Sequence, residues 1–247
     1  MRPGLDDTLV SLRTPSSFAA EQYRALRLQV ERLRAVREVR AMGVSSPGLG
    51  DGKTVTAINL AAAHAESERV LLIDADLRRP SIGSQLRLTD VSGPGLADAL
   101  SDERLELTHL VRHVDDIPFA VILAGVPGRR SRGEGGPSAP VHELLRSPRL
   151  DQLLQDARRQ FDLVIVDTPP LLPVTDPVVL ARALDGIVVV VAANNTPRKL
   201  LEESLNLLDS SKVLGIVFNK DHRPLYGYYS GDYRTRFTKQ AARTPGA

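Results

Sequence analysis

The chain has 247 residues, 42% of them hydrophobic, and thirty-two Lys and Arg against thirty Asp and Glu leave a formal net charge of +2. That is enough chain for one substantial core, and so balanced a charge gives no argument for nucleic acid as the principal partner, and none is expected. With no cysteine, disulfides and thiolate metal sites are excluded, and a reducing cytoplasm is compatible.

Taken in chain order, the first residues carry no apolar signal core, and the longest apolar run, 187–193, is too short to span a bilayer. A soluble chain is therefore expected, with any membrane association made through a partner. Residues 18–37 read as a long charged helix. Short runs rich in β-branched residues follow at 39–44, 70–74, 119–124, 163–167, 187–193 and 214–219, each nearly continuous in apolar character, as strands buried on both faces should be. Between them, 55–66, 141–159, 176–184 and 198–208 have helical patterning. Strand alternating with helix predicts an α/β single domain: a parallel sheet with helices on both faces and ligands beyond the carboxyl ends of the strands. The chain divides into an N-terminal segment and helix (1–38), a sheet domain (39–220) and a polar tail (221–247). Residues 126–140, rich in Pro, Gly, Arg and Ser, read as a flexible surface loop, with contact of Arg129, Arg130 and Arg132 to an acidic partner as the alternative. His109 and His113 have the i, i+4 spacing of a zinc helix, but Leu110 stands where the glutamate is needed, so they read as surface or packing residues.

The turn Pro47-Gly48-Leu49-Gly50-Asp51-Gly52-Lys53-Thr54 lies between the first strand and the helix that opens at Val55, where a phosphate-binding loop belongs. Glycines let backbone N–H groups close around phosphate oxygens, the following helix start adds partial positive charge, Lys53 reaches the terminal phosphates and Thr54 can hold magnesium. Pro47 replaces the first glycine of the usual pattern, so a plain glycine-rich turn with an exposed lysine is the competing reading. Asp167 ends an apolar strand in the manner of a Walker B carboxylate beside that threonine, although many strands end in Asp as a cap or turn residue. Asp74 and Asp76 end another strand two residues apart, so both side chains can enter one cleft; capping of the turn before Pro80 is the alternative.

The segments Val70-Leu-Leu-Ile-Asp74-Ala-Asp76-Leu-Arg-Arg-Pro80, Phe161-Asp-Leu-Val-Ile-Val-Asp167-Thr-Pro-Pro170 and Val174-Thr-Asp176 resemble the corresponding elements of bacterial protein-tyrosine kinases, the P-loop kinases of capsule and exopolysaccharide synthesis related to ParA/MinD ATPases. The similarity runs from about residue 18 to 233. It implies ATP and Mg2+ as cofactors, with Gly48, Leu49, Gly50, Asp51, Gly52, Lys53, Thr54 and Val55 forming the phosphate loop. Thr54, Asp74 and Asp167 would order the metal, Asp74 would activate the acceptor hydroxyl, and Asp76 would assist. Asn219 matches the family position that contacts adenine, or is merely a strand-ending turn former. Pro47 and Leu49 depart from the family's usual loop, and Gly48 stands where MinD-type proteins carry a second lysine.

Four of the five tyrosines, Tyr226, Tyr228, Tyr229 and Tyr233, fall in one glycine-spaced stretch of the tail. They resemble the terminal cluster that family members phosphorylate in trans; a sticky tail without chemistry is the alternative. Glu21-x-x-Arg24-x-x-Arg27 has the spacing of intrahelical ion pairs and also matches the family motif through which subunits build a ring. Each phosphate adds about −1.5 to −2 charges, so full modification would outweigh the net +2 and loosen such a ring. The resemblance further implies a membrane-anchored polysaccharide co-polymerase as activator, which would recruit the cytoplasmic chain to the membrane. A ParA/MinD-type ATPase switch that modifies no tyrosine is the competing function.

Overall fold

The β-branched runs lie side by side as six parallel strands, ordered β3-β2-β4-β1-β5-β6, in the computed structural model, which describes residues 4–125 and 140–221. The strands are β1 (Ala41–Ser45), β2 (Val70–Asp74), β3 (Ala120–Ile122), β4 (Leu163–Asp167), β5 (Gly186–Ala192) and β6 (Val213–Asn219). The helices are α1 (Val10–Arg13), α2 (Phe18–Val36), α3 (Lys53–His64), α4 (Ile82–Gln85), α5 (Leu96–Ser101), α6 (Leu107–Leu110), α7 (Val141–Leu144), α8 (Pro148–Gln160), α9 (Asp176–Ala183) and α10 (Arg198–Leu205). Among the described residues no helix is long and apolar enough to cross a membrane.

Every residue of β1, β2, β4 and β5 is buried, and successive side chains feed opposite cores. Leu71 and Ile73 of β2 pack with Leu96, Leu153 and Leu180 on one face. Val70 and Leu72 pack with Met42, Ile58 and Val30 on the other. A strand that must satisfy two apolar layers has no polar side to show, which is why these runs are continuous rather than alternating.

The helix expected over 141–159 is two helices, α7 and α8. Pro148 disfavours a helical conformation at the residue before it and cannot donate into a preceding turn. Ser147 instead takes an extended conformation and caps α8, its Oγ accepting from Arg149 N at 3.2 Å. The other expected elements hold to within a few residues, whereas α1 and α4 to α6, four to six residues each, have no legible period. His109 caps α6, its Nδ1 accepting from Glu106 N at 3.0 Å, and His113 is exposed, in keeping with packing and surface roles. The stretch with Arg129, Arg130 and Arg132, and the tail with Tyr226, Tyr228, Tyr229 and Tyr233, lie outside the described residues.

Helix α2 opens on a Ser17 cap whose Oγ accepts from Ala20 N at 3.1 Å, and it lies along α3. Arg24 pairs with Glu21 at 2.9 Å and with Glu66 at 3.1 Å. Arg27 donates to Ala63 O at 2.9 Å and to Ser67 Oγ at 2.7 Å, and pairs with Glu31 at 2.7 Å. Both arginines of the Glu-x-x-Arg-x-x-Arg pattern thus bind the carboxyl-terminal region of α3 within the same chain, where cations also suit the helix dipole.

Candidate active site

β1 lies at the middle of the sheet between β4 and β5, and the chain leaving Ser45 turns through residues 46–52 directly into α3. The turn needs left-handed backbone at Gly50 (φ 85°) and Gly52 (φ 96°), which only glycine adopts without strain. At Gly52 a side chain is excluded twice, since a Cβ would stand 2.1 Å from Asn219 Nδ2. α3 therefore begins at Lys53, two residues earlier than periodicity indicates. Pro47 is held in the loop by its carbonyl, which accepts from Leu172 N at 3.4 Å, while Ser46 O accepts from Leu171 N at 2.8 Å.

Strand register brings the carboxylates to this loop. Asp74 of β2 pairs directly across from Asp167 of β4, which in turn faces Val44 of β1. Lys53 Nζ stands 3.0 Å from Asp76 Oδ2 and 3.6 Å from Asp167 Oδ1. Thr54 Oγ1 donates to Asp167 Oδ2 at 2.6 Å and accepts from Ser81 Oγ at 3.1 Å. Asp74 Oδ2 accepts from the N–H groups of Ser81 and Ile82, both at 3.0 Å, and its Oδ1 from Asp76 N at 3.3 Å. Lys53, Thr54, Asp74, Asp76 and Asp167 thus share one buried cluster. Gly48 to Val55 form the loop and first turn beside it, with Leu49 pointing outward and exposed. Asn219, at the end of β6, donates from Nδ2 to Asp51 O at 2.9 Å and so touches the same loop.

Three carboxylates around one ammonium cannot all ionise freely. Burial, then repulsion from Asp167, pushes Asp74 up to about 7. Burial raises Asp167 to about 6 against the opposing pull of Lys53 and the Thr54 hydroxyl. Burial disfavours the charged form of Lys53 too, but attraction to Asp167 and Asp76 outweighs it and the ammonium is held above its ordinary range.

No group of three or more His, Cys, Asp or Glu forms a self-contained metal cage among the described residues. A P-loop does not need one, because Mg2+ takes most of its oxygens from phosphate and water. The donors such an ion needs from the protein are present: Asp167 Oδ1 is buried without a hydrogen-bond partner, beside the Thr54 hydroxyl. Those two residues fit Mg2+. Asp74 would join them only by giving up backbone N–H partners.

Sequence reasoning missed three contacts at this site. Ser81 bridges Thr54 and Asp74; Arg78 pairs with the fully buried Asp176 at 2.6 and 3.2 Å; and Thr196 binds Asp51 at 2.5 Å. Apart from the local step from Ser81 back to Asp74, each joins residues far apart in sequence, and nothing periodic announces them. Arg78 closely following the Asp-x-Asp pair is the one local hint.

No family model matches the chain. It is 34% identical over 253 residues to the succinoglycan biosynthesis transport protein ExoP of Rhizobium meliloti (strain 1021), covering 95% of this chain and 30% of that protein. It is 31% identical over 229 residues to the tyrosine-protein kinase YwqD of Bacillus subtilis (strain 168), covering 90% of each. The chain belongs to the bacterial protein-tyrosine kinases. The kinase domain of the Escherichia coli tyrosine kinase ETK superposes on this kinase with a TM-score of 0.77 and 29% identity, over 93% of this chain and 87% of that one. A more distant likeness, to the cell division ATPase MinD of Pyrococcus furiosus at 18% identity and a TM-score of 0.56, shows the fold alone. The fold is accordingly the ParA/MinD type of P-loop NTPase. The kinase covers 90% of YwqD but less than a third of ExoP.

Proposed function

We propose that this kinase transfers the γ-phosphoryl group of ATP to tyrosines of its own tail, Tyr226, Tyr228, Tyr229 and Tyr233, and so regulates exopolysaccharide assembly. The observation that carries the reading is the convergence of Lys53, Thr54 and three aspartates at the mouth of a glycine-rich loop, in a chain from a tyrosine-kinase family. The polysaccharide context rests on ExoP, named for succinoglycan biosynthesis and transport.

In this mechanism the phosphate loop amides and Lys53 hold the triphosphate. Lys53 exchanges Asp76 for phosphate oxygens, a move of one flexible side chain. Thr54 and Asp167 would hold Mg2+, which when bound would neutralise charge on the phosphates. The phenolic oxygen bonds to the γ-phosphorus, the bond to the bridging oxygen breaks, and ADP leaves. Asp74 takes the phenolic proton; burial and Asp167 raise its carboxyl to about 7 in the metal-free chain, and Mg2+ held at Asp167 would relieve that repulsion and lower it. Its oxygens accept from Asp76, Ser81 and Ile82 N–H groups, so the 76–82 segment has to shift before Asp74 reaches a substrate. The chain works in the cytoplasm as a ring built through Glu21, Arg24 and Arg27, recruited and activated by a membrane-anchored polysaccharide co-polymerase. In that ring, the arginines would exchange some of their contacts to Glu66 and α3 for a neighbour's.

The closed state of Asp74 favours a second reading, a ParA/MinD-type ATPase switch that hydrolyses ATP and modifies no tyrosine. Incubation with γ-labelled ATP, Mg2+ and the activator's cytoplasmic segment separates the two. Label on tail tyrosines is expected; stoichiometric phosphate release from an unlabelled protein would establish the switch instead.

Asn219 gives the nucleotide reading a specificity test. With Nδ2 engaged by Asp51 O, the side chain offers Oδ1, an acceptor that suits the amino group of adenine and repels the carbonyl of guanine. Asn219→Ala is expected to weaken ATP binding about 5- to 10-fold, the scale of one hydrogen bond, and to narrow the preference for ATP over GTP. Competition binding with both nucleotides checks this; an unchanged preference would remove Asn219 from base recognition.

A further inference from the structure

Asp51 is an anomaly in an anion-binding loop: a carboxylate, 4% exposed, built into the turn that must receive phosphates. Its contacts explain its presence. Oδ2 accepts from Gly48 N at 3.1 Å; Oδ1 accepts from the Thr196 hydroxyl at 2.5 Å and from Ala192 N at 3.4 Å. The same residue's carbonyl accepts from Asn219 Nδ2 at 2.9 Å, and Lys220 Nζ donates to Gly50 O at 2.7 Å. The loop, with glycines at 48, 50 and 52, is thereby fastened from outside by the ends of β5 and β6.

We propose that Thr196 is a positioning residue of the nucleotide site, acting through Asp51 to hold the phosphate loop in its binding shape before ATP arrives. The proposal rests on the nucleotide reading above and adds to it a residue from the turn between β5 and α10. A glycine-rich loop has many conformations to lose on closing around phosphates, and fixing it in advance moves that entropy cost from binding to folding. Among the described residues Thr196 alone supplies a side-chain donor to Asp51 Oδ1; the other partner, Ala192 N, lies 3.4 Å from that oxygen and donates more closely, at 3.1 Å, to the Thr196 hydroxyl itself. Without the hydroxyl, the carboxylate is left short of donors beside incoming phosphate and the loop is released at its crest. Thr196 itself sits half-buried in a surface turn, and loss of its hydroxyl leaves the buried Ala192 N–H only the 3.4 Å contact to Asp51.

Equilibrium binding of Mg2+–ATP to the full chain tests this in Thr196→Val, which keeps the shape and removes the hydroxyl, and in Thr196→Ser, which keeps the hydroxyl. The expected result is an ATP dissociation constant raised about 10-fold by Val and restored by Ser, with the melting temperature of the nucleotide-free protein lowered modestly by Val, for the lost bonds to Asp51 and Ala192 N, and restored by Ser; Thr196→Ala repeats the test if the valine variant folds poorly. Unaltered ATP affinity in Val and Ala, or failure of Ser to restore it, overturns the positioning role while leaving the nucleotide reading intact. Absence of ATP binding by the unsubstituted chain would instead remove the reading on which the proposal stands.

Discussion

Replacing Lys53 with Met is expected to lower tyrosine labelling of the tail by at least ~100-fold, the scale seen when a single charge-stabilising group is removed from a reacting centre. The side chain is the only cation within ion-pair distance of Asp76 and Asp167 among the described residues, and its reach to either carboxylate is also its reach across the mouth of the phosphate loop. A second effect separates this account from a generic loss of activity. Breaking a buried ion pair by removing one partner costs roughly 3–5 kcal/mol, because the remaining carboxylates lose their countercharge. Lys53→Met should therefore be less stable than the parent at pH 8 in EDTA, and the deficit should shrink toward pH 5 as Asp167 and Asp74 take up protons. Denaturant titrations at the two pH values, beside the labelling assay, give both readouts; retained labelling would remove Lys53 from phosphoryl transfer.

The second large effect concerns Asp74. Its carboxyl is raised from 3.8 to about 7 in the folded chain, so between those values the folded state holds a proton that the unfolded chain releases. The sign follows from that difference. The contribution is fully present below pH 4, is lost as pH rises through 7, and is absent above it. Each tenfold difference in proton affinity between the two states is worth about 1.36 kcal/mol, so the loss is on the order of 4 kcal/mol. Asp167, raised to about 6, acts in the same direction over a narrower window. Metal-free protein is thus expected to lose stability on going from pH 5 to pH 7.5, opposite to the trend of ordinary salt-bridged carboxylates. Asp74→Asn should flatten that slope and be the more stable protein at pH 7.5. The amide oxygen can keep the Ser81 and Ile82 N–H bonds and sacrifices only the longest contact, at 3.3 Å. The same variant should lose phosphotransfer, a site held in a costly state for the sake of its chemistry. Urea melts in EDTA across this pH range decide it, and an Asp74→Asn slope equal to the parent's would mean the carboxylate is not strained.

The strands that build this cleft are legible in the sequence because burial on both faces leaves no freedom: the runs ending in Asp74 and Asp167 are apolar throughout and stop on the residue that leaves the sheet. Their adjacency is not legible. It follows from β4 returning between β1 and β2, a choice of topology that no local pattern records. The glycine turn shows its position but not its fastening, since the partners of Asp51 lie 141 and 145 positions away. Ser81 carries no signal of its own, because a lone serine after a proline has the look of a turn residue; only the fold shows its hydroxyl on Thr54. The break ahead of α8 has a local cause that is in plain view, the Ser147-Pro148 step, whose capping preference outweighs the helical period running across it. Arg24 and Arg27 are readable as ion-pairing residues, yet their partners on α3 and beyond it depend on how α2 lies against that helix.

A crystal structure of the chain with Mg2+ and a non-hydrolysable ATP analogue tests the shared-cleft account most directly. The expected result is a triphosphate cradled by the amides of residues 50–54, with Lys53 Nζ moved off Asp76 onto its oxygens and the metal beside Thr54 and Asp167. Nucleotide bound elsewhere, or bound with Lys53 still paired to Asp76, would contradict it.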